Sequence, residues 1–311
     1  MTAPSRLEYE TPLLARSITP RQRRAGVLML LACATLWSLN GLLVKKTAAD
    51  PIAFAALRSA VAAIVVLPFL GFFAGARPRA GVMSASVVFH TLMVGFFIAA
   101  ITWGTAAAGV ILQYTGPAWV ALIAWGMQGR RLDPRTIAAV ALTVVGVIIM
   151  IAVPLARQPA FDPVGPTCGL LAGVAFGSLI VMLEKADRDV GAASPIWIIL
   201  INNAGTAVLL LPLAFALGRL NLSPTQIALI VFCGVVQHAL PYLLFQLGLQ
   251  RVSAVEASLL VLLEPILSPT WVAIFVGELP SVWDLAGGLA ILGALVMVAT
   301  KRPSPTVAVA D

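Results

Sequence analysis

Apolar runs long enough to cross a bilayer recur ten times along this 311-residue chain. They fall at about 25–44, 52–74, 82–102, 104–127, 135–153, 165–184, 193–217, 224–247, 252–277 and 282–300. A helix needs roughly 20 apolar residues to span the hydrocarbon core. No water is present there to satisfy the backbone, so a run of this length reads as a helix. The chain is 60% hydrophobic and only 11% charged, with a mean hydropathy of +0.99. A soluble domain is nearer half apolar and about a quarter charged. The pattern predicts an all-α integral membrane protein with ten transmembrane helices.

The links between runs are short and leave no room for a second soluble domain. The expected organisation is a polar N-terminal tail (1–24), a first five-helix unit (25–153), a linker (154–164), a second five-helix unit (165–300) and a C-terminal tail (301–311). "LLAC" at 30–33 resembles a lipoprotein cleavage box. A mostly polar stretch precedes it and the apolar run continues to Val44, so the first helix reads as retained.

Basic residues set the expected orientation. With the N-terminus inside, 15 of the 20 Lys and Arg residues fall in inside segments and four (Lys45, Lys46, Arg157, Arg219) outside. Arg58 lies within a span. The expectation is a multi-pass protein of the bacterial inner membrane with both termini cytoplasmic. The net charge of +7 does not point to nucleic acid, because the basic residues sit between apolar runs rather than clustering with aromatics. Cys33, Cys168 and Cys233 lie in apolar runs without metal-ligand spacing or an even count, so they read as packing residues. No metal or other cofactor is expected.

The sequence repeats itself at a shift of 148 residues. "VVFHTLMVGFF" (87–97) falls on "VVQHALPYLLF" (235–245), placing His90 on His238. The same shift puts Thr105-Ala106 on Ser253-Ala254, Pro117 on Pro265 and Gly129 on Gly277. Five spans per copy is an odd number, so the second copy enters the membrane from the opposite side. Such an inverted repeat around a central cavity is a plan typical of secondary transporters.

These features resemble the drug/metabolite transporter superfamily in its ten-helix EamA branch, over about residues 25–300. "LWSLNGLLVKK" is similar to the family's first-helix pattern, and "ALRSAVA" places Arg58 where an arginine is common in helix 2. "LLEPILSP" resembles the Glu-Pro pattern of helix 9, and "GEL" (277–279) its usual end. One departure is that Gly116-Pro117 stands in the first half where the second has Glu264-Pro265. The resemblance implies a basket of helices, with 1, 3, 4, 6, 8 and 9 lining the cavity and 5 and 10 behind. It implies transport of small metabolites and does not carry over a substrate.

An ionisable group inside a membrane is costly and marks a pathway by default. His90 and His238 are therefore candidate substrate or proton contacts facing a common cavity, the alternative being neutral imidazoles bonded between helices. Glu264 could bind a proton or an ammonium group, the alternative being a protonated structural residue. Pro265 after it leaves the Val261 carbonyl without its helical donor and favours a kink. Trp37, Asn40, Trp103, Gln113, Tyr114, Gln237 and Tyr242 are candidate lining residues, with Gln246 beside them. Aromatic faces hold an apolar body while amides orient a polar end; singly, each also serves as helix glue or, for Trp103, in an interfacial belt. Arg58 could snorkel or pair with a carboxylate as a gate. Glu256 is expected to pair with nearby Arg251. Asn202 and Asn203, on a peripheral helix, read as structural. Gly169, Gly173 and Gly177 form a smooth stripe for close helix packing.

The reading that fits best is a secondary exporter of small amphiphilic metabolites, aromatic or other amino acids favoured, acting as a monomer or weak homodimer. Proton coupling and passive movement both stay open. The rivals are an importer or exchanger of another metabolite class and a polytopic membrane enzyme. For the enzyme there is no G-x-S-x-G and no H-E-x-x-H, and no catalytic residue is assigned. A G-x-x-x-x-G-K-[ST] loop is also absent, which argues against direct ATP drive.

Overall fold

The structure is a computed structural model that describes residues 19–72, 75–128, 132–191 and 193–300. Arg6, Arg16, Arg130, Arg131, Lys301 and Arg302, counted above for orientation, lie outside the described residues.

Ten helices are long and apolar enough to cross a membrane: span 1 (Pro20–Thr47), span 2 (Pro51–Phe69), span 3 (Ala80–Trp103), span 4 (Ala106–Gly126), span 5 (Pro134–Arg157), span 6 (Val164–Val190), span 7 (Pro195–Ala216), span 8 (Pro224–Leu249), span 9 (Glu256–Val276) and span 10 (Val282–Ala299). No strand occurs among the described residues, only an isolated bridge between Ala76 and Ala193. The outer faces stay apolar: Phe215 is 78% exposed and Leu289 75%. In water such a surface would aggregate; against lipid it is the expected one.

The sequence dictates where many spans begin. Spans 1, 2, 5, 7 and 8 start with a Thr, Asp or Ser at the N-cap followed by proline. Proline lacks an N–H that the first turn would leave unbonded anyway. Thr19 and Gln22 form a reciprocal capping box, as do Ser223 with Gln226 and Ser281 with Asp284. The cap at Thr19 starts span 1 five residues before its apolar run, because capping satisfies the polar first turn.

Prolines also follow the places where spans 4, 5, 8 and 9 deform, whereas Pro212 and Pro269 sit inside unbroken helices. Span 4 is two helices, Ala106–Gln113 and Gly116–Gln128, and span 9 is likewise Ala254–Val261 and Glu264–Val276. Pro117 and Pro265 follow these breaks and cannot donate to the carbonyls of Gln113 and Val261. Spans 5 and 8 widen instead into π turns at Ile148–Ala152 and Cys233–Ala239. Each π turn runs up to a proline, Pro154 or Pro241. Val153 then bonds Ile148, and Leu240 bonds Val235, five residues back.

Packing partners are exchanged between the halves. Span 1 packs on spans 8 and 9, and span 6 on spans 3 and 4. Span 3 packs on span 7, and span 8 on span 2. Spans 2 and 7 pack on each other, as do 5 and 10. The largest core cluster joins both halves, with Phe54, Val94, Phe97 and Ile98 against Ala172, Leu179, Ile230 and Cys233. The three cysteines are free and buried.

Candidate functional site

The two helix breaks meet. Tyr114, in the break of span 4, donates its hydroxyl to Glu264 Oε2 at 2.8 Å, where span 9 restarts. Both side chains are half-buried. Gly116, which stands where the second half has Glu264, admits the Phe176 ring of span 6. A Cβ there would meet Phe176 Cδ1 at 2.6 Å. The departure between the halves is therefore a polar bridge on one side and an aromatic contact on the other.

Span 1 lies next to this bridge and carries a second group of candidates. Trp37 packs edge-on against Tyr242, with centroids 5.4 Å apart, and against Phe245 at 5.5 Å. Tyr242 packs edge-on against His238 at 5.1 Å. Asn40 Oδ1 accepts from Arg58 Nη1 at 3.2 Å. Gln237 donates to the Trp37 carbonyl at 3.4 Å. Trp271 of span 9 donates to Ser38 at 2.9 Å.

Both histidines turn to span 7. His90 Nδ1 lies 2.9 Å from Thr206 Oγ1, which also bonds Thr91 at 2.9 Å. His238 Nε2 lies 3.0 Å from Asn203 Oδ1, and Ser86 donates to Asn202 at 2.9 Å. The two rings come from opposite halves and end on neighbouring turns of one buried helix face. Neither lines either of the two described cavities.

Several expected arrangements are replaced. Arg58 neither snorkels nor pairs with a carboxylate: it is 2% exposed and bonds an amide. Glu256 pairs with Arg23 of span 1 at 2.6 Å, not with Arg251. Arg251 instead turns back to the Leu247 carbonyl one turn earlier. Trp103 ends span 3 and is 52% exposed, away from the other candidates. Gln113 makes no side-chain hydrogen bond among the described residues. The larger of the two cavities, about 330 Å³, is not at the breaks. It lies at the end where span 1 finishes, between Thr105, Met150, Gln158, Phe161, Trp283 and Asp284. Among the described residues, no three His, Cys, Asp or Glu side chains converge as metal ligands.

That same end carries a junction that the residue-by-residue reading missed. Lys45 Nζ sits 2.7 Å from Glu278 Oε2 and donates to the Gly104 carbonyl at 2.7 Å. Glu278 Oε1 accepts from Ala106 N–H at 2.8 Å, at the positive N-terminus of span 4. The signal was available, since the alternation of spans puts both links on one face with opposite charges. Glu278→Gln keeps an acceptor for Ala106 and loses only a partly exposed ion pair, worth about 0–1 kcal/mol. Glu278→Ala also strands the Ala106 N–H, so its loss is expected to be larger by about 1 kcal/mol or more. Thermal unfolding of the two variants in detergent checks this order.

One family model matches the chain twice, over residues 24–152 and 164–300, and its description is EamA-like transporter family. The chain belongs to that family. Each match spans five of the ten helices, so the EamA unit is present in two copies. A relative from Archaeoglobus fulgidus, described as an uncharacterized transporter, is 28% identical over 278 residues, which is 89% of this chain and 97% of its own. A crystal structure of a protein 18% identical aligns with a TM-score of 0.59 over 88% of this chain and 96% of that one. At that identity it shows the fold alone. This EamA-family chain is thus a multi-pass membrane protein of a transporter family.

Proposed function

We propose that this EamA-family protein exports small amphiphilic metabolites, amino acids favoured, across the bacterial inner membrane by alternating access of two inverted five-span halves. The observation that carries the reading is the Tyr114–Glu264 bridge between two helices broken at matching positions. Discontinuous helices near the midplane are where secondary transporters bind solutes. The exchange of packing partners between halves supports the inverted repeat. The Lys45–Glu278 junction supports a protein closed at one end, and the excess of basic residues in one set of links supports cytoplasmic termini. Glu264 is the proposed proton carrier if coupling exists. Purified protein in liposomes tests the reading. Saturable solute flux accelerated by solute preloaded on the far side is expected. Failure of every metabolite pool to exchange, together with turnover of a lipid or peptide, would overturn it in favour of an enzyme.

His90 and His238 belong, on this reading, to the scaffold that holds span 7. Their hydrogen bonds to Thr206 and Asn203 are already made, which leaves little for a solute. His90→Ala and His238→Ala are expected to lower stability by about 1–3 kcal/mol each, by stranding buried partners. Solute affinity is expected to stay within about twofold, since a contact not made to solute contributes nothing to binding. A counterflow assay in which either variant changed affinity or pH dependence at full expression would return the histidines to the pathway.

A further inference from the structure

Arg58 is a guanidinium buried with no carboxylate paired to it among the described residues. It is 2% exposed, donates once to Asn40 and has no partner for Nε. The Phe54 ring lies 5.7 Å from its charge centre and covers one face. The ion pairs among the described residues join Arg23 to Glu256, Lys45 to Glu278 and Arg219 to Asp50, and none reaches Arg58. A buried charge left unpaired is strongly unfavourable, whereas paired in a forked geometry it is not.

A complementary orphan sits close by. Gln237 is 2% exposed, and its Nε2 donates to the Trp37 carbonyl. That carbonyl fixes which end of the amide faces it, since two oxygens would repel. Oε1 therefore points elsewhere and has no partner among the described residues. The anchors of the two orphans, Trp37 and Asn40, are three residues apart and share a face of span 1. The π turn of span 8 brings Gln237 there. Gly234, in the same turn, lets span 8 close on span 2 at Arg58: a Cβ at Gly234 would meet the Arg58 carbonyl at 3.0 Å.

We propose that Arg58 binds the carboxylate of the transported solute, and that Gln237 accepts a hydrogen bond from the amino group next to that carboxylate. This rests on the carrier reading above and narrows its substrate class to α-amino carboxylates. The guanidinium offers Nε and the adjacent Nη edge as a fork, matching two carboxylate oxygens. Trp37, whose carbonyl holds Gln237, packs with Tyr242 and Phe245, and these rings form an aromatic wall for the solute's apolar body.

The test pairs each of the twenty L-α-amino acids with its α-amide, using the purified full-length protein. Thermal shift in detergent reads binding, and counterflow in liposomes reads transport. At least one acid is expected to bind and exchange about ten- to a hundredfold better than its amide, the range of a charge-assisted hydrogen bond. Arg58→Gln is expected to erase the acid–amide difference, and Arg58→Lys to keep part of it. Gln237→Met is expected to weaken the amino acid but not the matching carboxylate that lacks the amino group. Equal handling of acids and amides by the unmodified protein overturns the proposal, even if Arg58→Gln fails to fold. So does silence of every acid in both assays. Exchange of uncharged metabolites in that case leaves the carrier reading standing, and no exchange of any metabolite removes both.

Discussion

Glu264→Leu is expected to abolish solute counterflow, with initial rates at least about tenfold below the unmodified protein, the scale set by losing a half-buried hydrogen-bonded carboxyl. The Tyr114–Glu264 bond is the polar contact that joins the two helix breaks. Each break exists because a proline removes a backbone donor, so neither can heal into a straight helix when the bridge goes. Leucine strands the Tyr114 hydroxyl and lets the half-helices separate. The stability loss is expected at about 1–3 kcal/mol. Glu264→Gln makes the useful contrast, because its amide oxygen still accepts from Tyr114 but carries no titratable proton. If protons are coupled to transport, this variant keeps counterflow and loses accumulation driven by a pH gradient. A Glu264→Leu protein that exchanges solute at the normal rate would remove the breaks from the mechanism.

Gly173→Leu is expected to be strongly destabilising, because it drives a side chain into backbone as well as into another side chain. A Cβ at Gly173 already clashes with Thr115 Oγ1 and would lie 2.6 Å from the Leu112 carbonyl. Along the same face, a Cβ at Gly177 would meet the Gly116 carbonyl at 2.7 Å and one at Gly169 would meet Leu112 Cβ at 3.1 Å. This stripe of span 6 presses directly on the broken part of span 4. Overpacking usually costs about 1–3 kcal/mol, and a contact with fixed backbone belongs at or beyond the upper end. Loss of folded, monodisperse protein in detergent is the expected readout. Gly95, by contrast, has nothing within 4 Å of a Cβ, so Gly95→Ala is expected to leave folding intact. Normal expression and melting of Gly173→Leu would mean that the two spans do not pack this closely.

Much of the architecture was legible because the bilayer simplifies the physics. Length and hydropathy alone mark the spans, and Pro265 marks the break in span 9; the π turns of spans 5 and 8 were not legible, because Pro212 and Pro269 sit in unbroken helices with the same local signal. The 148-residue shift placed both histidines and both Pro-containing breaks. The candidate site was legible in its members but not in its pairings. Arg58 and Asn40 were singled out separately, yet nothing in sequence tied a residue in span 2 to one in span 1. Glu256 was assigned to Arg251 because they are close in the chain, and the preferred partner, Arg23, is 233 residues away. Asn203 and Thr206 could not be matched to the histidines, because the face that span 7 turns to spans 3 and 8 depends on how all three helices dock.

The sequence by itself determined that this chain has ten runs long and apolar enough to cross a membrane, that its halves repeat, and that span 9 is kinked at Pro265. Those properties follow from local terms: the cost of unsatisfied backbone in hydrocarbon, the missing proline N–H and the shape of glycine. Only the tertiary structure decided that Glu264 meets Tyr114, that Glu278 meets Lys45, and that Arg58 of span 2 and Gln237 of span 8, each left with an unpartnered group, are anchored on neighbouring turns of span 1. Those pairings depend on helix rotation and depth, which no term along a single helix sets, because in lipid nearly every face of an apolar helix is equally content to point outward.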